Sequence, residues 1–397
     1  MKLRRRACAG VFAAAMSCLA AGCATLDVPS PSRATEAAPA PVRSDVGTTT
    51  LRVTDASRRD LRDPAQPRQW LVQVFYPSVP TPVSGHYADD PVLLDALVRD
   101  NYYEVGEAGL RAWASAPAVA VEQARPASAK PWPVVTLSPG QGFARLSYAH
   151  LAAALVHRGY AVVVIDHPYL GVTHLPDGRL LRAADDPAIN SAEETDWVPR
   201  IRDWTRDVSV VLDRLEDSAA GLVPGLHLDL AHVVATGHSI GGTAALDVCS
   251  VDRRVGACLD FEGTPEPAAV FATGVERPTL MVLSRAGGRP PPVRPPGAPD
   301  LDEHIATALG RQGAPFWLVK VTGGSHTSYS DAPITMPATL TRFGGQVMEP
   351  ARSMAVYAGM VDAFARAYVL GERRDQVFAT FIEQTPEASR ARGPATR

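Results

Sequence analysis

One run of the sequence places a serine between glycines at a spacing that suits a reactive hydroxyl. Residues 236–242 read TGHSIGG, with Ser239 at the centre of a Gly-x-Ser-x-Gly pattern. The apolar run HVVAT precedes it, and a helical stretch at 240–250 follows. A sharp strand-to-helix turn needs glycines, because side chains there would clash, and it holds the hydroxyl toward solvent. The context therefore predicts that Ser239 is a nucleophile.

A serine hydroxyl needs a base, which in this arrangement comes last in chain order. His238 is excluded because adjacent residues on the turn point their side chains apart. Of the histidines further downstream, His304 lies inside the helical stretch DLDEHIATALG, where a solvated position is expected. His326 lies in TGGSHTSYSD, a glycine-bearing loop directly after an apolar run. We therefore predict that His326 is the base.

The acid is expected between the serine and the histidine, near a strand end. Asp260 ends the apolar run VGACLD, and Glu262 follows two residues later. Five other carboxylates in the interval lie in a helical stretch, in a turn or at a helix start: Asp247, Asp252, Asp300, Asp302 and Glu303. Asp260 is therefore the predicted acid, with the role of fixing the imidazole tautomer, and Glu262 is the second choice.

Acyl transfer also needs two N–H donors for the oxyanion of the tetrahedral intermediate. The residue after the nucleophile supplies one, which here is Ile240. The loop after the third predicted strand, SPGQGF at 138–143, is expected to supply the other. We predict the backbone N–H groups of Ile240 and Gln141 as the oxyanion hole.

The elements that position these residues alternate between β-branched runs and amphipathic helices. Eight strands are predicted, at 49–54, 70–76, 133–138, 161–166, 232–236, 255–260, 279–284 and 315–321. Helices are predicted at 146–158, 197–217, 240–250, 301–311 and 351–370. The middle strands are continuously apolar, which is typical of a parallel sheet covered on both faces. The pattern predicts one three-layer α/β domain with an eight-stranded, mostly parallel sheet between two helical layers.

The catalytic domain is predicted to span residues 47–372, followed by a C-terminal tail at 373–397. Two long segments, 77–130 and 167–196, interrupt the alternation after strand ends. Open α/β sheets bind ligands at the carboxyl ends of their strands. The inserts are therefore interpreted as walls of the substrate pocket, with a surface insertion of no function as the alternative.

The N-terminus resembles an export signal. Lys2 and three arginines precede an apolar run that ends in LAAGC, with Cys23 last. Residues 1–23 are predicted as a lipoprotein-type signal peptide, with lipidation of Cys23, and simple secretion is the alternative. Residues 24–46 are rich in Pro and Ala and are predicted to be a flexible tether. The expected location is the cell envelope, with the protein anchored to a membrane on the periplasmic or outer-membrane side, or otherwise secreted.

The composition excludes some classes of function. The 397 residues are 46% hydrophobic and carry a net charge of −3, and no basic block follows the first six residues. A nucleic-acid partner is therefore not expected. No His and Cys spacing resembles a metal site. We expect neither a metal nor an organic cofactor. Cys249 and Cys258 are nine positions apart, and both a disulfide and two buried thiols are consistent with the sequence.

Several stretches resemble the platelet-activating factor acetylhydrolase branch of the α/β-hydrolases, in its bacterial lipoprotein form. They are VQVFYPS (72–78), residues 137–168, LPDGR (175–179), VVLDRL (210–215), TGHSIGG (236–242), GACLDFEG (256–263) and GGSHTSYSD (323–331). The resemblance implies an α/β-hydrolase fold, an aspartate after the sixth strand at Asp260, and a histidine loop similar to that of His326. Pro139, Gln141 and Ile240 depart from that branch, which leaves the reaction intact but puts the substrate in doubt.

The sequence thus predicts a serine carboxylic-ester hydrolase that works through an acyl-enzyme. The resemblance implies short-chain or oxidised acyl esters of phospholipids as substrates, so the expected partners are a small-molecule or lipid ester and a membrane. A general carboxylesterase or polyester hydrolase and an acyltransferase use the same residues and remain alternatives. A non-catalytic envelope-binding protein on the same scaffold is the alternative from another class.

Overall fold

The computed structural model describes residues 42–100, 105–186, 196–218, 222–284, 300–336, 348–372 and 374–394. The strands in these ranges are β1 (Arg43–Arg59), β2 (Pro67–Pro82), β3 (Val121–Glu122), β4 (Trp132–Ser138), β5 (Ala161–Ile165), β6 (Val172–His174), β7 (Leu180–Arg182), β8 (Leu228–His238), β9 (Val255–Phe261), β10 (Thr279–Ser284), β11 (Phe316–Val321) and β12 (Ala388–Arg392). The helices are α1 (Pro91–Arg99), α2 (Gly106–Ala114), α3 (Ala149–Val156), α4 (Val198–Ser218), α5 (Ile240–Val251), α6 (Ala269–Thr273), α7 (Leu301–Leu309), α8 (Ala332–Thr335), α9 (Pro350–Tyr368) and α10 (Arg374–Glu383). None of these helices is long and apolar enough to cross a membrane.

Ten of the described strands form one sheet in the order β12-β11-β10-β9-β8-β4-β5-β2-β1-β3. The central strands from β5 to β11 pair in parallel. The pairs β1–β2, β2–β5 and β11–β12 are antiparallel. The described sheet is therefore mostly parallel, and the carboxyl ends of its central strands share one edge.

Helices cover both faces of the sheet. Successive strand residues point to opposite faces, so neighbouring residues pack against different helices. Val135 of β4 packs in an apolar cluster that includes α3, α9 and α10. Val134, its neighbour, packs in a second cluster that includes α4, α5 and α7. Both valines are fully buried. This arrangement explains why the central strands are apolar without alternation, and it confirms the predicted three-layer α/β fold.

All eight predicted strands are present, but two are much longer than predicted. The strands expected at 49–54 and 70–76 extend into a twisted hairpin of 17 and 16 residues. β1 therefore begins at Arg43, within the segment assigned from sequence to the tether. Residues 24–41 of that segment and Cys23 lie outside the described residues.

The chain after residue 372, predicted as a tail, is ordered in the described range 374–394 as α10 and β12. Phe378 of α10 is fully buried between Trp317 and Phe364, with ring centroids 5.0 Å from each. β12 pairs with the edge strand β11. The apolar face of α10 and this pairing make the segment part of the domain, which corrects the predicted boundary.

The inserts carry their own secondary structure. The first contains α1, α2 and β3, and the second contains the hairpin of β6 and β7. Tyr87 of the first insert donates a hydrogen bond to Asp331, which follows the His326 loop. The first insert is thereby fixed near the carboxyl edge of the sheet.

Candidate active site

Ser239 lies on the turn between β8 and α5 and has an unusual backbone conformation. Its φ is 54° and its ψ is −130°, a region that costs strain for a residue with a side chain. Side chains at Gly237 and Gly241 would overlap the backbone of Gly241 and of Pro139, respectively. The glycines of the motif are thus required by close backbone packing, and the strained turn is the one predicted.

The imidazole of His326 faces the serine. The Ser239 hydroxyl lies 3.1 Å from Nε2 of His326, on the loop that follows β11. Both side chains are half-buried, so the hydroxyl is reachable from solvent. Residues 87 positions apart in the chain are therefore brought into the geometry of a nucleophile and its general base.

The carboxylate nearest to the other imidazole nitrogen belongs to Glu262. Its Oε2 lies 3.5 Å from His326 Nδ1. Its Oε1 accepts a hydrogen bond from the backbone N–H of Ser284, at the end of β10. Glu262 has a φ of 61°, a second left-handed residue in this region. The second choice of the sequence argument is thus the carboxylate that faces the histidine.

Asp260, the predicted acid, lies elsewhere. Its side chain is fully buried, and its Oδ1 accepts a hydrogen bond of 2.7 Å from the N–H of Gly263. Its Oδ2 has no hydrogen-bond partner among the described residues. Burial raises the pKa of Asp260 well above its usual range, and the nearby Glu262 adds to the increase. The structure thus separates Asp260 from the imidazole, because its strand position directs the carboxyl beneath the turn, against Gly242 and Gly263.

The loop after β4 lies against the nucleophile. A Cβ placed on Gly140 would lie 3.2 Å from the Cβ of Ser239. The next residue, Gln141, is exposed, and Ile240 is the first residue of α5. The first N–H groups of a helix have no partner within it. The two predicted oxyanion donors therefore sit on segments that meet at the serine, and their role stays a prediction.

Comparisons with known proteins identify esterases and hydrolases as similar to this chain. No protein-family model matches the sequence. Over 218 residues, 52% of this chain, it is 28% identical to a protein of Arthroderma benhamiae named as a probable 1-alkyl-2-acetylglycerophosphocholine esterase. Over 104 residues, 26% of this chain, it is 35% identical to hydrolase pyiE of Pyricularia grisea. The matches span 50% and 18% of these relatives, so the chain covers half of their length or less.

A solved structure matches nearly the whole domain. The ferulic acid esterase from Streptomyces cinnamoneus is 28% identical to this chain, with a TM-score of 0.69, over 89% of this chain and 98% of that one. The chain has the α/β-hydrolase fold. In this fold the nucleophile, the acid and the histidine follow strands at one edge of the sheet. Ser239, Glu262 and His326 occupy such positions in this chain, after β8, β9 and β11.

The second insert contacts the loop beside the candidate site. The N–H of Gly142 donates to the carbonyl of Leu170 at 2.9 Å, which ties the loop after β4 to the insert. Leu170 also packs in one apolar cluster with Ile240 and Trp204, and Trp197 packs against that cluster. The half-buried Trp197 therefore forms an apolar wall against the cluster that contains Ile240, the residue after Ser239.

The sequence argument missed a second serine, histidine and aspartate set, which is buried beneath the loop after β4. His167 Nδ1 lies 3.1 Å from Asp207, and its Nε2 lies 3.0 Å from the Ser138 hydroxyl. Arg68 pairs with the same aspartate at 2.7 Å. These side chains are almost completely buried, so no substrate reaches Ser138. The set anchors the loop at Ser138, and no sequence motif could have shown it because its members are far apart.

Asp207 is charged and His167 is neutral within this buried set. Burial alone would raise the pKa of Asp207, but the ion pair with Arg68 and the contact with His167 outweigh it, and the pKa is lowered. Burial lowers the pKa of His167, and the contact with Asp207 opposes this only in part. Asp207 is therefore an anion paired with Arg68, beside a neutral imidazole.

Two further expectations concern cysteines and metals. Cys249 of α5 and Cys258 of β9 form a disulfide, with their Cα atoms 6.1 Å apart. The bond joins the helix that follows Ser239 to the strand that precedes Glu262. Within the described residues, no group of three or more His, Cys, Asp or Glu side chains could hold a metal ion.

Proposed function

We propose that the protein is a serine carboxylic-ester hydrolase with Ser239 as nucleophile, His326 as general base and Glu262 as the acid. The observation that carries the proposal is the 3.1 Å contact between the Ser239 hydroxyl and His326 Nε2, on a strained turn that leaves the hydroxyl accessible. The esterase names of the curated relative and of the solved structure support the same class of reaction.

The geometry supports an acyl-enzyme mechanism. His326 Nε2 accepts the Ser239 proton as the oxygen attacks the ester carbonyl, and the imidazolium then donates that proton to the leaving alcohol. A water molecule repeats the sequence on the acyl-enzyme and regenerates the serine. Glu262 faces the Nδ1–H group and keeps the proton on that nitrogen, which fixes the tautomer that presents a free Nε2 lone pair to the serine.

The oxyanion of each tetrahedral intermediate is assigned to the N–H groups of Ile240 and Gln141. Support comes from the contact between Gly140 and Ser239 and from the position of Ile240 at the start of α5. Such a donor contributes about 3–4 kcal/mol to transition-state stabilisation when it is already oriented.

For the substrate, we propose short-chain or oxidised acyl esters of phospholipids. The name of the Arthroderma benhamiae relative, an acetylglycerophosphocholine esterase, supports this choice. The second candidate is a general carboxylesterase, which the name of the ferulic acid esterase supports. The apolar wall of Leu170, Ile240 and Trp197 fits the acyl or the alcohol part of either ester.

We also propose that the enzyme is exported and anchored through lipidated Cys23. The LAAGC sequence supports lipidation. The disulfide between Cys249 and Cys258 supports export, since disulfides persist in oxidising compartments. Detergent partitioning of the full chain and of Cys23→Ser tests the anchor. Transfer of the protein from the detergent phase to the aqueous phase in the variant is the expected result.

The first experiment compares the wild-type protein with Ser239→Ala on p-nitrophenyl esters of rising acyl length and on a short-chain phosphatidylcholine. A loss of about three orders of magnitude or more in kcat is expected for the variant. Ser250→Ala is the control, because its hydroxyl bonds only within α5, at Asp247. A fluorophosphonate probe should label the wild-type protein and not Ser239→Ala.

Equal rates in the wild-type protein and Ser239→Ala, with no labelling of either, would contradict the proposal. The acyl-length profile separates the two substrate candidates. Preference for an acetyl ester and hydrolysis of the phosphatidylcholine support the first, whereas broad activity without phospholipid hydrolysis supports the second.

A further inference from the structure

His238, the neighbour of the nucleophile, is enclosed by the rings around the active site. Its side chain is buried, and its ring centroid lies 4.9 Å from that of His326, 5.3 Å from Phe143 and 5.6 Å from Tyr329. Burial of an imidazole costs free energy of folding unless both ring nitrogens have hydrogen-bond partners.

Both nitrogens have partners, and the partners define the tautomer. Nε2 lies 2.6 Å from the backbone carbonyl of His326, which can only accept a hydrogen bond. Nε2 therefore carries the proton and donates. In the neutral ring, Nδ1 carries no proton. It therefore accepts a hydrogen bond from the Tyr148 hydroxyl, which lies 2.9 Å away. Burial lowers the pKa of His238 well below its usual range, and the nearby His326 lowers it further.

The chain of hydrogen bonds continues to the loop after β4. The Tyr148 oxygen accepts a hydrogen bond of 3.0 Å from the N–H of Gly140. The three hydrogen bonds thus run in one direction. Gly140 donates to Tyr148, Tyr148 donates to His238, and His238 donates to the carbonyl of His326. The series joins the segment before the predicted oxyanion donor Gln141 to the backbone of the proposed general base.

We propose that His238 and Tyr148 are positioning residues that set the distance between the oxyanion loop and His326 in the ester hydrolysis proposed above. The inference rests on that proposed function. Neither residue touches the substrate. Their contribution is geometric, since the attack requires the hydroxyl, the imidazole and the oxyanion donors to meet within a fraction of an ångström.

Gly140 packs closely against His238 and Ser239. A Cβ on Gly140 would approach His238 Nδ1 to 2.9 Å and the Ser239 Cβ to 3.2 Å. The loop therefore contacts the positioning histidine and the nucleophile at once. A shift of the His238 ring would move the loop and the carbonyl of His326 together.

Two Tyr→Phe variants test the proposal. Tyr148→Phe removes the hydroxyl between Gly140 and His238. Tyr160→Phe is the matched control, because Tyr160 is equally buried and its hydroxyl donates to Asp362 at 2.9 Å, outside the site. Tyr148→Phe should lower kcat by about tenfold or more with KM nearly unchanged, because misplacement of about 1 Å costs up to a hundredfold. Tyr160→Phe should keep wild-type kcat.

A second pair of variants tests His238. His238→Gln retains an N–H donor in reach of the His326 carbonyl, whereas His238→Leu does not. The glutamine variant should recover a large part of the kcat lost in the leucine variant. Thermal unfolding of every variant checks that it is folded.

The NMR signals of 15N-labelled histidine, with His238→Gln for the assignment, provide a readout independent of activity. They should show His238 as the neutral Nε2–H tautomer in the wild-type protein. Equal kcat in Tyr148→Phe and Tyr160→Phe, or an Nδ1–H tautomer, would overturn the inference. Failure of the proposed function is distinguishable, because Ser239→Ala would then retain activity whatever the state of His238.

Discussion

Ser239 and Glu262 occupy equivalent places on adjacent strands, and both have positive φ, of 54° and 61°. In the pairing of β8 and β9, His238 lies opposite Phe261, so each of the two residues follows the last pair. The N–H of Ser239 donates to the carbonyl of Phe261 at 2.7 Å. The two strands therefore end together, and each turns its next side chain toward His326.

This relationship places Glu262 directly after the end of β9. Asp260 is paired with Gly237 within the sheet, and its carboxyl is confined beneath the nucleophile turn. Glu262, with its left-handed backbone and an N–H donor from Ser284, extends to the imidazole. Strain at non-glycine residues is tolerated mainly where function requires it.

Separate removal of the two carboxylates distinguishes their roles. Glu262→Gln should lower kcat by at least about a hundredfold, because a neutral partner neither fixes the tautomer nor stabilises the imidazolium. Asp260→Asn should change kcat by less than about tenfold, since burial raises the pKa of Asp260 well above its usual range and so favours the neutral carboxyl, which asparagine resembles. The measurement is kcat on a p-nitrophenyl ester at pH 7–8.

The stability of both variants controls this comparison. Asparagine can still accept the hydrogen bond from Gly263 N–H, so Asp260→Asn should unfold near the wild-type temperature. A large loss of kcat in a folded Asp260→Asn, with an active Glu262→Gln, would restore Asp260 as the acid.

Chain order and local pattern predicted much of this site. The glycines around Ser239 and the apolar run before it indicated the turn, and the loop position of His326 indicated the base. Which of the two carboxylates, Asp260 or Glu262, faces the histidine was not predictable in the same way. It depends on the left-handed turn at Glu262, which neither residue type nor spacing encodes, because glutamate seldom adopts that conformation.

The sheet was predictable at its centre and less so at its edges. Continuous apolar runs defined β4, β5 and β8–β11, since both faces are buried. β12, with the sequence ASRAR, is mostly exposed and polar, and it forms because β11 offers a free edge. A strand that depends on its partner in this way leaves no hydrophobic pattern to find.

The disulfide between Cys249 and Cys258 is expected to stabilise the folded domain. Cys249→Ala combined with Cys258→Ala is expected to lower the free energy of unfolding by about 2–3 kcal/mol, as estimated for a short closed loop. Urea denaturation with and without a reductant measures the change. The reductant should destabilise the wild-type protein and leave the double variant unaffected. An equal effect on both would show that the bond does not form.

The buried His167 should make stability depend on pH. Its pKa is lowered in the folded protein, so the unfolded chain binds a proton that the folded chain does not as the pH falls below about 6.5. The stability linked to His167 is therefore present above that pH and lost below it, by about 1.4 kcal/mol per pH unit. His167→Gln should be less stable at pH 8, and the difference should narrow toward pH 5.

The wild-type protein must be compared with His167→Gln, because other buried groups change the free energy of unfolding with pH in the opposite direction. Burial raises the pKa of Asp260 and of Asp331, so acidification favours the folded state through those carboxyls. The same groups are present in His167→Gln, and their effects cancel in the difference. Parallel stability curves for the two proteins between pH 8 and pH 5 would show that His167 takes up its proton in the folded state.

Trp197 is expected to set the preference for acyl length. It is half-buried and packs against the cluster of Leu170 and Ile240, and Ile240 directly follows Ser239 in the chain. Each buried CH₂ contributes about 0.8 kcal/mol, or about fourfold in kcat/KM. If the acyl chain lies along this wall, Trp197→Ala should lower kcat/KM about tenfold for a hexanoate ester and little for an acetate ester.

Phe271→Ala provides the matched control, since Phe271 is also a half-buried aromatic residue but packs against His304, on the side of α7. It should leave the ratio of the hexanoate and acetate rates unchanged. An equal loss for both esters in Trp197→Ala would place this wall at the alcohol side of the ester, because the alcohol group is common to both substrates.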